Sequence, residues 1–366
     1  MKKYFRHWLT LVVCIFLSKI SYAQLNNSFF YIERNDSIKN QFNLHIENIG
    51  YFRNVEYTNA IDEGRTLFGY QFWPEMTYGI SQNAQIAGGV FVQKDFGSSG
   101  FYKIAPTFSF QYKKKQHTLR FGNVLGSVQH GLIEPLYDPE RIIENRNENG
   151  FQYLLKAKKL KGEFWIDWTK MIYPNSPFRE EFTVGTTLEP TIISKKAVKL
   201  SLPVAALAFH KGGEIDTSKM PTQSNFNFDY GIRLISKIQK LDSFVLEFHA
   251  LDYEDISTTP ENFIDGLGQY AAVSAYKNQW GLMLNYWDSH QFYNPMGDAI
   301  YRTVSSKNPN YILNYRKMAM ARLFFQTNVA ENLDFLLRSN FVYDMNQKTT
   351  GVIAEFYIRW HPKYTL

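Results

Sequence analysis

Three histidines of this chain each have a carboxylate within a few residues in the sequence: His130 with Glu134, His210 with Glu214, and His290 with Asp288. A metal site would favour paired histidines, and an acyl-transferring hydrolase needs a nucleophile, an oriented base and donors to the oxyanion. The sequence contains neither pattern, and the string Trp287-Asp288-Ser289-His290 comes nearest to a hydrolase set. We therefore interpret them as ordinary loop histidines and expect no enzyme, no metal and no cofactor.

A second group of candidate residues carries charge at alternate positions of extended segments. Alternate side chains of a strand point to the same face of a sheet, so we expect this group to line the inside of a closed sheet. Opposing acidic and basic walls would order water and favour polar solutes. The alternative is that the charges form salt bridges that only rigidify the wall. The candidates on strands are Arg120, Asp229, Arg233, Glu247 and Arg338.

The segment Ser127–Asn149 is a long connection that combines acidic, basic and apolar residues. Connections longer than about 12–15 residues are usually functional or disordered, and apolar residues such as Leu132 and Tyr137 argue against disorder. We expect this loop to narrow a lumen, with its carboxylates facing Arg120, Arg233 or Arg338. The alternative is an external loop capped by its own apolar residues. The carboxylates are Glu134, Asp138, Glu140 and Glu144.

The elements that would position these residues are β-strands with a period of two. In Thr66–Ile80 one parity carries mainly aromatic and aliphatic residues, from Phe68 to Ile80, while the other is mainly polar or small, with Leu67 and Trp73 as exceptions. A strand with this pattern has one apolar face and one polar face. Comparable alternation recurs along the chain, which predicts an all-β protein.

Short polar turns and longer loops largely alternate along the chain. Outer-membrane barrels show this alternation, because their strands are joined by short turns at the periplasmic end and by longer loops at the outer end. Seven turns and eight loops predict sixteen strands, within a range of 14 to 18. We expect them to form one antiparallel up-and-down transmembrane β-barrel. Ser28–Asn35 and Tyr311–Arg316 are candidates for further strands. A soluble β-sandwich is the alternative. Because Tyr and Trp favour the headgroup level, the expected girdle residues are Tyr51, Tyr57, Tyr112, Trp168, Tyr286, Tyr343 and Trp360.

The N-terminus has the features of an export signal. Lys2, Lys3 and Arg6 precede the apolar run Leu9–Leu17, and Ser21-Tyr22-Ala23 is typical of a cleavage site. We therefore predict a cleaved signal peptide (1–23), a short periplasmic segment (24–40) and a barrel (41–366). The signal carries four basic residues, including Lys19, and no acid, so the formal charge of +6 falls to 6 − 4 = +2 in the mature chain. This small charge does not favour nucleic acid as a partner, and without Cys14 the mature chain has no cysteine.

The signal, the alternating strands, the unequal loops and an aromatic terminal strand with Phe356 and Trp360 resemble bacterial outer-membrane barrels of the porin-like kind. The composition, rich in Asn, Tyr and Lys, is similar to such proteins from Bacteroidota. The resemblance implies that the third outer loop, Ser127–Asn149, folds into the lumen. The stretch 175–180 is loosely similar to one in outer-membrane phospholipases, but the His-Asp-Ser-Asn-Gly run of that family is absent.

These observations predict a porin-like channel in the cell outer membrane for the diffusion of small hydrophilic solutes. The alternatives are a closed barrel that anchors partner proteins or presents surface loops and, less in keeping with the residues, a lipid hydrolase. The expected partners are membrane lipids, lipopolysaccharide and small polar solutes. A homo-oligomer is left open, because no sequence feature establishes it.

Overall fold

The computed structural model describes residues 27–34, 39–125, 130–260 and 262–366. The predicted signal peptide therefore lies outside the described residues. The chain forms short helical segments at Ser28–Phe30, Arg141–Glu144 (α1) and Ala299–Tyr301. The strands are β1 (Phe42–Tyr57), β2 (Thr66–Gly79), β3 (Ala84–Asp95), β4 (Lys103–Lys114), β5 (His117–Asn123), β6 (Asn149–Lys156), β7 (Leu160–Lys170), β8 (Glu180–Ser194), β9 (Val198–Ser201), β10 (Val204–Gly212), β11 (Gln223–Ser236), β12 (Ser243–Asp255), β13 (Asp265–Lys277), β14 (Trp280–His290), β15 (Tyr315–Ala330), β16 (Leu333–Asp344), β17 (Thr349–Trp360) and β18 (Lys363–Thr365).

The strands form a closed antiparallel barrel of sixteen wall strands in the described part of the chain. Two wall strands are each interrupted at a proline, which has no backbone N–H to donate: Pro203 separates β9 from β10, and Pro362 separates β17 from β18. Closure occurs where β1 pairs with β17, from Asn48 opposite Trp360 to Tyr57 opposite Gly351. The prediction of an all-β, up-and-down, sixteen-stranded barrel is confirmed.

The two candidate extra segments do not add strands to the wall. In the first segment, the described residues 28–34 contain a single helical turn at Ser28–Phe30, and Asn35 lies outside the described residues. In the second, Ile312 forms one isolated bridge with Val304, and Tyr315 and Arg316 belong to the wall strand β15. Among the described residues, no helix has the length and apolar character needed to cross a bilayer.

The period of two divides the wall into two chemically different faces. On β14, Leu282 and Leu284 are both 47% exposed and point away from the barrel, whereas Met283 and Trp287 are fully buried inside it. Backbone N–H and C=O groups in a bilayer must be hydrogen-bonded within the protein, and the closed sheet provides these bonds. The apolar outer face then contacts the hydrocarbon without burying unpaired polar groups. Trp73, an exception to the alternation of β2, is also buried inside.

Two of the predicted girdle residues are on the wrong face. Tyr51 is buried inside the barrel, where its hydroxyl contacts Asp95 and receives a hydrogen bond from Gln93, and Tyr57 packs against the interior cluster. The expectation failed because the inner face of this barrel is itself rich in aromatic residues. An aromatic side chain on a strand therefore does not identify the membrane-facing parity.

Segments from both ends of the barrel fill much of the interior. From the outer end, Leu132, Leu136 and Tyr137 of the third loop pack with Trp287 and Tyr301 in one buried cluster. The N-terminal segment enters near the opposite end, where Phe29 and Phe30 pack against Tyr357 and α1. The segment expected to be periplasmic thus lies, over residues 27–34, against the inner wall.

Gly185 of β8 gives Trp165 the room that it needs inside the wall. A Cβ atom at position 185 would lie 2.1 Å from the Trp165 ring. We expect Gly185→Val to lower the free energy of unfolding by roughly 1–3 kcal/mol, the usual cost of overpacking. Gly50→Ala is the matched control, since a Cβ atom there meets nothing within 4 Å. Urea unfolding in lipid vesicles measures both, and equal values would contradict this packing.

Candidate functional site

The third loop lies inside the barrel over its described part, residues 130–148. Glu134 forms an ion pair of 2.6 Å with Arg322 of β15 and accepts a hydrogen bond of 3.0 Å from the Tyr301 hydroxyl. Both ionic partners are almost fully buried. The loop carboxylate thus pairs with an arginine of the inner wall, but not with any of the three arginines that we expected.

The other loop carboxylates form a second charged cluster. Glu140 pairs with Arg53 at 3.3 Å and with Arg65 at 2.9 Å, and Glu144 pairs with Arg65 at 2.7 Å. Asp138 accepts the backbone N–H of Glu140. Burial, and then the charge of Glu140, raise the pKa of Asp138 to about 7. These contacts hold α1 and the preceding turn against the barrel wall.

The predicted strand residues all lie on the inner face and are buried, as the parity indicated. Their partners, however, are mainly neighbours in the wall. Arg233 pairs with Glu247 and, at 3.3 Å, with Glu189. Arg338 pairs with Glu355 at 3.5 Å. The structure therefore joins these residues into ladders across adjacent strands.

Arg120 has polar partners in place of a carboxylate. Its guanidinium donates to the side chains of Gln111 at 2.7 Å and Gln152 at 3.0 Å, and to the carbonyl of Leu125 at 2.6 Å. The Leu125 carbonyl belongs to the chain leading into the third loop. Arg120 therefore contributes to holding the base of that loop.

His130 fixes the start of the described loop. Its ring nitrogens contact Glu163 at 2.6 Å and Glu148 at 2.7 Å, and its ring stacks on Trp165 with centroids 3.9 Å apart. Burial opposes the charged ring, but the two carboxylates outweigh it and raise the pKa of His130 to about 10. His130 is therefore a cation at neutral pH and a poor proton acceptor.

This cation makes the docking of the third loop depend on pH. Because the pKa of His130 is raised in the folded protein, its stabilising contribution is complete below pH 6.5 and is lost as the pH rises through about 10. We expect amides of residues 130–148 to lose protection over this range in hydrogen exchange, corrected for the intrinsic effect of pH. His130→Gln should remove the dependence, and constant protection in the natural protein would contradict it.

Asp229, a predicted inner-face residue, forms a buried pair with His249 of β12. The carboxylate contacts His249 Nδ1 at 2.8 Å, and the histidine is fully buried. Among the described residues, no group lies within hydrogen-bond reach of His249 Nε2. The pair is shielded from the membrane by the wall itself, so it is not accessible to a lipid.

His210 and Ser224 form a different pair on the outer face of the wall. His210 lies on β10 directly opposite Ser224 on β11, and its Nδ1 is 2.9 Å from the serine hydroxyl. Gln223 and Asn225, which flank Ser224, are buried on the inner side. Since side chains alternate, Ser224 and His210 point outward, towards the membrane.

Aromatic rings continue the same row across the wall. The Phe182 ring stacks on His210 with centroids 4.9 Å apart, and Trp168 stacks on Phe182 at 4.8 Å. On the other side of His210, a Cβ atom at Gly212 would lie 3.0 Å from Nε2 and from the Thr222 hydroxyl. Glycine at this position therefore leaves space beside the imidazole.

Two carboxylates share the outer face near this pair. Glu180 of β8 lies opposite Gly212, and Glu254 of β12 lies opposite Phe226. A base that contacts a hydroxyl, with a carboxylate within the same patch, is an arrangement that can accept the proton of a nucleophile. Among the described residues, no group of three or more His, Cys, Asp and Glu side chains is placed to hold a metal ion.

Sequence reasoning singled out His210 but missed Ser224. The two residues are separated by a long loop, and they meet only because β10 and β11 pair in one register. The available signal was the position of both residues close to the loop between their strands, His210 just before it and Ser224 just after it. That signal identifies a pair only after the hairpin register is known.

Solved structures with the same fold are outer-membrane proteins. OprD from Pseudomonas aeruginosa matches with a TM-score of 0.52 and 10% identity, over 92% of this chain and 98% of OprD. A loop-deletion mutant of OmpT from Vibrio cholerae also gives 0.52 and 10%, over 87% and 99%. OccAB4 from Acinetobacter baumannii gives 0.51 and 9%, over 91% and 100%. The porin-like fold and the outer-membrane location are confirmed, and an origin in Bacteroidota stays a prediction.

A family relationship corrects the expectation that the chain is not an enzyme. No curated protein sequence matches the chain, but the model of the lipid A 3'-O-deacylase-type family matches residues 32–366. The family is named for an enzyme, so that expectation was wrong. The expectation relied on motifs of neighbouring residues in the sequence, whereas a barrel can bring together reacting groups from different strands. The chain belongs to the lipid A 3'-O-deacylase-type family.

Proposed function

We propose that this protein is an outer-membrane hydrolase that removes an acyl chain from an ester-linked glycolipid of the lipid A type. The observation that carries the proposal is the contact of 2.9 Å between His210 Nδ1 and the Ser224 hydroxyl on the membrane-facing wall. Membership of the lipid A 3'-O-deacylase-type family supports it. Lipopolysaccharide, expected above as a partner, becomes the proposed substrate.

The position of the pair fits a lipid of the outer leaflet. Ser224 follows the loop between β10 and β11, and Phe182 follows the loop between β7 and β8. Longer loops of outer-membrane barrels face the exterior, so the row from Trp168 to Ser224 lies near the outer boundary of the bilayer. Ester bonds of membrane lipids lie at that boundary, between the headgroup and the acyl chains.

The proposed reaction needs one nucleophile and one base. Ser224 Oγ attacks the ester carbonyl, and its proton passes to His210 Nδ1. The protonated imidazole then gives that proton to the departing sugar oxygen, which leaves the acyl group on Ser224. His210 then takes a proton from water, and the resulting hydroxide attacks the carbonyl of the acyl-serine. The imidazolium returns this proton to Ser224 Oγ as the fatty acid leaves. The rings of Phe182 and Trp168 offer an apolar surface to the acyl chain.

Substitution of either member of the pair should abolish most of the hydrolysis. We expect Ser224→Ala and His210→Gln each to lower the rate of fatty-acid release from lipid A by at least about 10²-fold, the usual contribution of such groups. His290→Gln is the matched control, since His290 contacts Tyr315 at the outer end of another hairpin. Mass spectrometry of the released fatty acid measures all three. Rates unchanged from the natural protein in both site variants would contradict the assignment.

We also propose that the third loop restricts diffusion through the lumen, as the candidate constriction residues suggested. The ion pair between Glu134 and Arg322 favours this second role, because it ties the loop to the inner wall. The contacts of Glu140 with Arg53 and Arg65 also hold the loop against the barrel, nearer its outer end. A barrel of sixteen strands is wide enough for an aqueous channel when its interior is not filled.

Deletion of residues 134–144 should open the lumen. We expect the natural protein to give small or no conductance steps in a planar bilayer, and the deletion to give larger, ohmic steps, because the ion pairs and buried loop residues are removed together. Retained heat-modifiable migration on gels would show that the barrel still folds. Unchanged conductance in a folded deletion variant would contradict a constricting loop.

A further inference from the structure

A groove crosses the membrane-facing wall far from the His210–Ser224 pair. Its volume is about 790 Å³ and its lining is mostly apolar. Ala271 and Val273 of β13 form its floor, while Leu246 and Phe248 of β12 form one side. Leu284 and Tyr286 of β14 form the other side. These four side residues are each more than a third exposed, so they stand out from the wall on both sides of a strand with small side chains.

The register of the sheet explains why this depression follows β13. Val273 lies between Leu246 and Leu284, and Ala271 lies between Phe248 and Tyr286, in two successive rows across the wall. Ala275 continues the same face towards the end of the strand. From Ala271 to Ala275 the strand rises about 13 Å. This length suits a segment of one acyl chain, and Ile232 and Leu234 of β11 extend the apolar lining beyond β12.

The groove runs towards the end of the barrel that carries the short turns. Lys277 ends β13 and is exposed, and Lys240 is exposed in the turn between β11 and β12. The two turns are joined, because the Asn278 N–H donates to the Asp242 carboxylate at 2.6 Å and the Asp242 N–H donates to the Tyr276 carbonyl. Both lysines therefore lie at the same end of the barrel, beyond the groove end marked by Ala275.

Trp280 marks the boundary between the apolar and charged parts of this surface. It lies directly opposite Lys277 across the hairpin and is 50% exposed. Tryptophan favours the level of the lipid headgroups, and long lysine side chains keep their ammonium groups at that level while their stems follow apolar surface. The apolar groove and the two cations thus have the spacing of a lipid tail and its headgroup.

We propose that this groove binds an anionic phospholipid of the periplasmic leaflet. One acyl chain would lie over Ala271 and Val273, and the phosphate would lie beside Lys277 and Lys240. Short turns face the periplasm in outer-membrane barrels, so this site faces the leaflet opposite to the proposed substrate. The site is separate from ester hydrolysis and needs no reaction.

Charge favours a lipid over a second copy of the chain in the groove. A symmetric copy would bring Lys240 and Lys277 towards the same two lysines of its neighbour, and like charges repel at an apolar boundary. An anionic headgroup removes this repulsion. Basic side chains at a membrane surface attract anionic lipids.

The test is native mass spectrometry of the full folded chain in detergent with diether phosphatidylglycerol or diether phosphatidylcholine. Ether-linked lipids have no ester to cleave, so the outcome does not depend on the proposed hydrolase. We expect phosphatidylglycerol to bind roughly ten-fold more tightly than phosphatidylcholine. The double variant Lys240→Gln and Lys277→Gln should lose this preference.

Ala271→Trp fills the groove and should remove the bound lipid. Ala354→Trp is the matched control, because Ala354 is an exposed alanine on the outer face of β17. Heat-modifiable migration checks the folding of both variants. Equal binding by Ala271→Trp and the natural protein would overturn the proposal. It would also be overturned if a lipid-free dimer formed and Ala271→Trp abolished it, since the groove would then hold a second copy.

Discussion

The pairing of backbone groups in the membrane is the constraint on which the rest of this structure depends. Hydrocarbon offers no partner to a peptide N–H or C=O, so a β-protein can span only as a closed sheet. Closure between β1 and β17 meets this requirement and brings the start of β1 and the end of β17 to the same end of the barrel. It also assigns each residue to one of two faces, which separates the lipid-facing His210–Ser224 pair from the buried Asp229–His249 pair.

The interior shows how charges are held where water is scarce. A buried ion is costly unless it is paired and hydrogen-bonded, and Arg322 meets this condition through Glu134 of the third loop, while Arg233 meets it through neighbours in the wall. The third loop therefore supplies a carboxylate that the buried arginine of the inner wall needs. Its apolar residues add packing that a loop outside the barrel would lack. These two effects together favour an inward position of the loop.

Most of the fold was predictable because the period of two is a local signal. The alternation in Thr66–Ile80 corresponds closely to β2, and the inward parity of Arg120 and Glu247 is also correct. The partners of those side chains were not predictable, since they depend on strand register and on the path of the third loop. Ser224 could not be identified from the sequence for the same reason: its contact with His210 arises only when β10 and β11 pair.

A fluorophosphonate that carries an acyl tail reacts with a serine that is activated by a neighbouring base, so it tests directly whether Ser224 is the nucleophile. We expect a single covalent adduct on the peptide that contains Ser224, and no adduct in His210→Gln. If the protein hydrolyses lipid A but is labelled at another residue, or not labelled at all, Ser224 is not the nucleophile.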